Sequence, residues 1–355
     1  LVKGTASRTG QQIAEEIEGV GGGIDAYGGN NSFGVSAEVM SEDVALGLKL
    51  MADVVLNPSF PVEALERQRS VQLSSIKAQN DKLLQKTFRL MRENLFGAHG
   101  YGLDLLGTEE SVSEISVEDL GRYYGELAVP NNAVIAVFGD IKESEIRAEL
   151  ERIFGLWKSG RNSEAPNLMP GVDGKRRVAV QADKEQAVAV LGYRSCTFFD
   201  EDRYALELLS EACSDLGSRL FMRIREELGL AYYVGAQNQP GLTPGCFAFY
   251  AGTSPGQLEE VEKELLAEAA KLSEEGLSEE ELGRAKAKMI GQRKISRQDL
   301  GGLAMMVGLD ELYGLGYASS DDDEAKVKAL TTSQVRAVAQ KYLRPGNYIM
   351  AVTHP

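Results

Sequence analysis

The chain holds few side chains from which a reactive centre could be assembled. Its two histidines, His99 and His354, stand far apart, and neither has a second His or a Glu at local ligand spacing. A self-contained His-ligated metal site therefore has little to be built from. His99, in "FGAHGYG" at a helix exit, reads as a structural hydrogen-bonding residue. Cys196, Cys213 and Cys246 are odd in number and show no CxxC spacing. They indicate neither a disulfide framework nor a thiolate zinc site, and read as small buried hydrophobes. The glycines of "GGGIDAYGGNNSFGVSAEVM" follow a helical pattern and precede a strand. That order is the reverse of a phosphate-binding loop, so they read as a sharp turn into a hairpin.

Composition narrows the function classes further. With 355 residues, 43% hydrophobic and 26% charged, the chain is long enough for two ordinary domains, each with its own core. A formal charge of -15 argues against nucleic acid or an anionic membrane as the main partner, because both demand clustered Lys and Arg. The acidic run from Asp321 to Glu324 reads as a solvated loop or helix start. No apolar run approaches the ~18 residues of a membrane span, and the first residues do not resemble a signal peptide. The expectation is a soluble chain of the bacterial cytoplasm or periplasm, with a leader ahead of Leu1 left open.

The elements that would position any site come in duplicate. "PNNAVIAVFGD" from Pro130 aligns with "PGNYIMAVTHP" from Pro345, and the stretch "EISVEDLGRYYGELA" before the first aligns with "ALTTSQVRAVAQKYL" before the second, both at an offset of 215. Farther upstream the offset becomes 217, pairing "ENLFGAHGYG" with "DELYGLGYAS" and "EALERQRSVQLSSIKAQND" with "EELGRAKAKMIGQRKISRQD". This is an internal duplication of a module of roughly 215 residues. The Gly-, Pro- and Asn-containing stretch from 158 to 176 suits the seam, which gives a first module over 1–160, a linker over 161–175 and a second module over 176–355.

Each module reads in one order: a strand pair, a helix, a short helix, a second strand pair, a run of helices and a last strand. In the second, "RVAVQA" and "QAVAVLGYR" are the opening strands and "DEDRYALELLSEACSDLG" the helix. "SRLFMRIREELGLAYYVGAQ" then faces "SRTGQQIAEEIEGVGGGIDAYGG" of the first module, which lacks the opening strands and helix. By that register, roughly forty or more residues are expected ahead of Leu1. In the first module Ser41 is the expected N-cap of "SEDVALGLKLMADVVLNP", which stops at Asn57-Pro58, and Pro61 suits the first turn of the next helix. Grouped helices argue for an α+β fold: two tandem homologous modules, each a largely antiparallel sheet with helices on one face.

"LVKGT", "ADVVLNPSFP", "LFGAHGYG", "LGTEESVSEIS", "DLGRYYGELAVPNNAVIAVFGD" and "SRLFMRIREELGLAYYV" resemble the M16 peptidases, the family of pitrilysin and the mitochondrial processing peptidase, over essentially the whole chain. The resemblance is of the M16B type and implies the LuxS/MPP-like metallohydrolase fold. The family's HxxEH helix holds zinc through two histidines, and its Glu activates the attacking water. Such a helix would lie before "LVKGT". The family's third ligand is a distal Glu in a stretch resembling "ERxxVxLEEI". Here that stretch reads "ERQRSVQLSSI" and places Ser75 at the ligand position. Glu66 and Glu63 lie roughly 13 to 18 Å away along the helix axis, too far to substitute.

In the second module, Arg225 and Tyr232 in "REELGLAY" match the family's Arg and Tyr seven residues apart, which reach the substrate carbonyl. A guanidinium fork and a phenol are sensible donors to a developing oxyanion. The plainer alternative pairs Arg225 with Glu226 or Glu227 and half-buries Tyr232. Asp25, Ala26 and Tyr27 match the family's edge strand, which pairs with extended substrate peptide, although Asn-Ala is usual where Asp25-Ala26 stands. The resemblance thus implies a non-zinc subunit whose HxxEH-bearing M16 partner, or homodimer mate, holds the metal. No metal or other cofactor is expected in this chain, and no peptidase activity from it alone. Two other readings stay open: an active zinc endopeptidase with HxxEH before Leu1, and a non-enzymatic scaffold or core-type subunit.

Overall fold

The computed structural model describes residues 1–161 and 174–355, so the expected linker over 161–175 lies almost wholly outside the described residues. The first half runs α1 (Gly10–Glu18), β1 (Gly23–Gly28), β2 (Phe33–Glu38), α2 (Val44–Leu56), α3 (Val62–Asp81), α4 (Leu83–Phe96), α5 (Glu109–Glu114), α6 (Val117–Leu127) and α7 (Glu143–Phe154). The second runs β3 (Lys175–Gln181), β4 (Ala187–Arg194), α8 (Asp202–Ala212), β5 (Ala231–Gln239), β6 (Cys246–Thr253), α9 (Leu258–Glu274), α10 (Glu279–Ser296), α11 (Leu300–Leu312), α12 (Asp323–Ala329), α13 (Thr332–Tyr342) and β7 (Tyr348–His354).

These elements form two compact units that divide the chain differently from the duplication. Unit 1 comprises Leu1–Ile76, Leu105–Ala165 and Ile295–Ser319; unit 2 comprises Lys77–Asp104, Pro166–Lys294 and Ser320–Pro355. Each unit therefore includes one helix from the other sequence module: α4 belongs to unit 2 and α11 to unit 1.

In unit 2 the sheet has the order β3-β7-β4-β6-β5. β3 and β7 are parallel and every other pair is antiparallel. Successive strand side chains point to opposite faces, and here both faces are covered. Ala187, Ala189, Leu191, Phe247, Phe249, Met350 and Val352 meet α8, α9 and α13 of the second module. Val188, Val190, Ala248, Ile349 and Ala351 meet Phe88, Met91, Leu95 and Phe96 of α4. This double cover explains why "AVAVLGYR" reads as a continuous apolar run with no alternation. Gly192 is required by the fit, because a Cβ there would lie 2.3 Å from Met91 Sδ.

In unit 1 the ladder is the β1–β2 hairpin alone among the described residues. α1 docks through Ile13 and Ile17, and Thr9 closes its start in a capping box with Gln12. α2 buries Leu48, Leu50, Ala52 and Val54. Asp53 at its C-terminal end fastens the first residues of the chain. Its carboxylate accepts from Thr5 Oγ1 at 2.8 Å, Ser7 Oγ at 3.0 Å, Arg8 Nη1 at 2.7 Å and Asn57 Nδ2 at 3.1 Å. Burial alone would raise this carboxyl, but the hydrogen bonds from Thr5, Arg8, Asn57 and Ser7 together hold it below the ordinary carboxylate range.

Three expectations about unit 1 change. Ser41 is not the cap of α2: Ser41–Asp43 forms a 3-10 turn and the helix begins at Val44, with no side-chain cap. Met40 leads into that turn in extended conformation, so Ser41 is drawn inside it and cannot stand before α2. Pro61 precedes the helix start and offers its carbonyl to the N–H groups of Ala64 and Leu65. The expected last strand, Ala133–Phe138, carries no ladder at all, and Val134, Ile135 and Phe138 are 38%, 38% and 39% exposed. The partners that hold β7 in unit 2 are β3 and β4, and the described residues of unit 1 contain no counterpart of either. The neighbouring helices share this lack. α11 is strongly apolar yet has no buried residue, and neither has α6.

Candidate functional site

Unit 2 sets Arg225 and Tyr232 on two successive backbone irregularities. The helix that the sequence implies over "FMRIREE" is a π-helical turn, Phe221–Glu227, and its end is closed by Gly229 at φ +63°. Gly229 N–H donates to the Arg225 carbonyl at 3.1 Å, the bond of an αL cap, and Leu230 N–H reaches back to the Ile224 carbonyl at 2.9 Å. The chain then enters β5, where Ala231 faces Thr253 but Tyr233 already faces Gly252. Tyr232 is thus the extra residue of a β-bulge, which lifts it out of the ladder and leaves it 54% exposed. π-turns and bulges cost regular hydrogen bonds and concentrate where a side chain has to be re-aimed.

Arg225 is exposed and makes no ion pair with Glu226 or Glu227. Helical geometry gives the reason, since side chains one or two positions apart point in different directions. Glu227 goes to Arg223, four residues back, at 3.1 Å, and Arg223 also holds Glu264 at 3.1 Å. Those hydrogen bonds, Glu264 first and Glu227 second, raise the Arg223 guanidinium above its ordinary value. Arg225 instead has Phe221, Met222, Leu228 and Gly229 three and four residues away, none of them acidic. Its guanidinium carbon lies 4.8 Å from the centroid of the Phe221 ring. The sequence singled out Arg225 and Tyr232 but not Phe221, nor the turn and bulge that present the pair. The four-residue step from Phe221 to Arg225 is the one signal that could have found the stacking.

The remaining candidates belong to unit 1. Asp25, Ala26 and Tyr27 lie on β1 opposite Ser36, Val35 and Gly34. Asp25 and Ala26 are exposed, and among the described residues β1 has a ladder partner on one side only. Its free edge presents main-chain donors and acceptors of the kind that an added strand would use. Tyr27 crosses over Gly34, where a Cβ would stand 2.7 Å from the ring.

Ser75, on α3, does not fit a metal. Its hydroxyl donates to the Val71 carbonyl at 2.9 Å, and Ser74 does the same to Ser70 at 2.8 Å. Both are neutral groups turned back onto their own helix. Glu66 is engaged by Arg69 at 3.2 Å. Among the described residues no three His, Cys, Asp or Glu side chains converge as a ligand set. His99 is exposed at the start of a 3-10 turn, where its carbonyl accepts from Gly102 N–H. The three cysteines are free and buried, and burial pushes Cys213 up to about 12 and Cys196 and Cys246 up to about 11. No helix among the described residues is long and apolar enough to cross a membrane.

Comparison with known proteins adds a consistent set of relatives. Residues 1–109 match the model of insulinase, peptidase family M16, and residues 114–289 match that of the peptidase M16 inactive domain. A Mycobacterium leprae protein described as an uncharacterized zinc protease is 31% identical over 359 residues, covering all of this chain and 80% of its own. A Bacillus subtilis protein described in the same way is 26% identical over 354 residues, covering 99% of this chain and 86% of its own. Among solved structures, a peptidase M16 inactive domain from Pseudomonas fluorescens superposes with a TM-score of 0.86 at 21% identity, covering 99% of this chain and 85% of that one. A Helicobacter pylori protease gives 0.88 at 18% identity, covering 100% and 86%. At these identities the two structures establish the fold.

Proposed function

The chain belongs to the M16 peptidase family, and from that premise we propose that it is the subunit of a two-chain zinc peptidase that carries the Arg/Tyr pair while its partner carries the zinc. The observation that supports this reading most is the contrast between the two kinds of group. Ser75 spends its hydroxyl on its own helix, whereas Arg225 has every N–H donor uncommitted among the described residues and Tyr232 stands out on a bulge. An extended peptide would add to the free edge of β1 at Asp25–Tyr27. Arg225 and Tyr232 would donate to the carbonyl oxygen as it gains negative charge, which strengthens both hydrogen bonds in the transition state. Zinc, held by the partner, would supply the activated water.

The test is reconstitution with an HxxEH-bearing M16 chain from the same genome, read with a quenched fluorescent peptide. The purified chain alone is expected to hold no stoichiometric zinc and to cleave nothing. In the reconstituted pair, Arg225→Ala and Tyr232→Phe should each lower kcat/KM by about 100- to 1,000-fold, the usual loss for one oxyanion donor. Unchanged turnover in both variants would remove the Arg/Tyr role and favour a scaffold. One zinc per chain bound in the chain alone would overturn the division of labour.

A further inference from the structure

The π-helical turn brings together two residues whose relation the proposed function does not use. Phe221 is fixed from below: its N–H donates to Ser218 Oγ at 3.1 Å, Ser218 is itself buried, and the ring packs against the main apolar core of unit 2. Its outer face carries the Arg225 guanidinium at 4.8 Å. A carboxylate at that place would also orient Arg225, but it would consume two N–H donors in a bidentate pair and cancel the charge. An aromatic face attracts the cation through its quadrupole and takes none of the in-plane N–H groups. Glu227 and Glu264 are meanwhile held by Arg223, and Glu268 by Arg219 at 3.2 Å.

We propose that Phe221 is a positioning residue for Arg225: a rigid aromatic shelf that fixes the plane of the guanidinium while leaving its whole donor edge for an incoming carbonyl oxygen. The inference rests on the proposed role of Arg225. Its expected consequence is pre-organisation, so its loss should appear in kcat more than in KM, because a guanidinium that must be re-aimed loses donor strength chiefly in the transition state.

The test uses Phe221→Leu and Phe221→Tyr, alone and combined with Arg225→Ala. In the reconstituted pair, Phe221→Leu should lower kcat by about 3- to 10-fold, in line with one cation-π contact, and Phe221→Tyr should restore it. In the Arg225→Ala background, Phe221→Leu should cost nothing further. A purely structural role for Phe221 would give the same fractional loss in both backgrounds, and that result, or full activity in Phe221→Leu, overturns the proposal. An independent reading needs no partner. In the isolated chain the Arg225 Nε–H resonance should be shifted upfield by the ring current and should return toward the random-coil position in Phe221→Leu. An unshifted resonance in the parent chain would show that the shelf is not occupied. Should Arg225→Ala itself leave turnover intact, the functional reading fails while this spectroscopic result still decides the stacking.

Discussion

Two segments with the same pattern meet opposite fates in the two units. Ile349–Thr353 lies at the heart of a sheet, with Ile349 1%, Met350 2% and Thr353 0% exposed. The residues 215 positions earlier, Val134, Ile135 and Phe138, are 38%, 38% and 39% exposed and join no ladder. Their β-propensity is similar, so propensity cannot be the cause. β7 is a strand because β3 and β4 satisfy both of its edges and α4 covers it, down to a buried hydrogen bond of 2.7 Å between Thr87 and Thr353. Strand character belongs to the ladder and not to the segment. Without it, about 1.5–3 kcal/mol per large apolar side chain is left ungained.

The contrast can be broken most directly by truncating matched residues. Ile349→Ala should destabilise unit 2 by about 2–5 kcal/mol, while its counterpart Val134→Ala should cost under ~1 kcal/mol, since little is buried there. Urea titration followed by hydrogen exchange of each unit's amides would read both, and equal costs would refute the comparison. Next in size is the polar fastening that unit 1 uses where unit 2 uses a sheet. Asp53→Asn should cost about 1.5–3 kcal/mol, the usual value for hydrogen bonds to a charged group. Because the Asp53 pKa is lowered by folding, its contribution is present above the unfolded value near ~3.9 and is lost as pH falls through the folded one. Unit 1 amides should therefore lose protection first on acidification below that point, and the Asn variant should flatten the dependence.

Two glycines, Gly192 beside Met91 in unit 2 and Gly308 at the position matching Met91 in unit 1, give smaller effects of opposite sign. Gly192→Ala drives a Cβ into the buried Met91 and should cost about 1–3 kcal/mol. Gly308→Ala, at the position matching Met91, meets only Ala136 at 3.4 Å and should stabilise α11 by up to ~1 kcal/mol. Calorimetric scans of the two variants would show shifts in opposite directions. The smallest expected signal is a reporter: the three cysteines all lie in unit 2, with thiols pushed up to about 11 or about 12. They should stay unreactive toward a thiol reagent at pH 8 under conditions that open unit 1 alone.

Much of the fold was legible because duplication supplies its own control. β3, β4, α8, β5 and β7 fall where the repeat and the apolar patterns put them, and Asn57-Pro58 ends α2. What the sequence hid has a common cause, namely dependence on neighbours distant in the chain. "PNNAVIAVFGD" and "PGNYIMAVTHP" are alike as strings and differ only in what lies beside them. The membership of α4 and α11 was hidden for the same reason, since nothing local tells a helix which sheet it will cover. At the site, the resemblance to the family's Arg and Tyr seven residues apart marked Arg225 and Tyr232, where the bare residues also allowed a local ion pair and a half-buried Tyr. The π-turn and bulge that present them are departures from periodicity, and periodic reasoning passes over such departures.

The crossed membership of α4 and α11 constrains how the protein can be made. Unit 1 includes Ile295–Ser319, so at about 5–20 residues per second a ribosome that has finished residue 161 needs roughly 8–30 s more to deliver α11. α4 waits longer still, because β7, at the end of the chain, completes the surface that buries Phe88, Met91 and Leu95. Neither unit can close during its own synthesis. The nascent chain must carry α4 until its partners are made and leave unit 1 incomplete until α11 arrives, which makes it a natural client for chaperones and a poor subject for cutting at the seam.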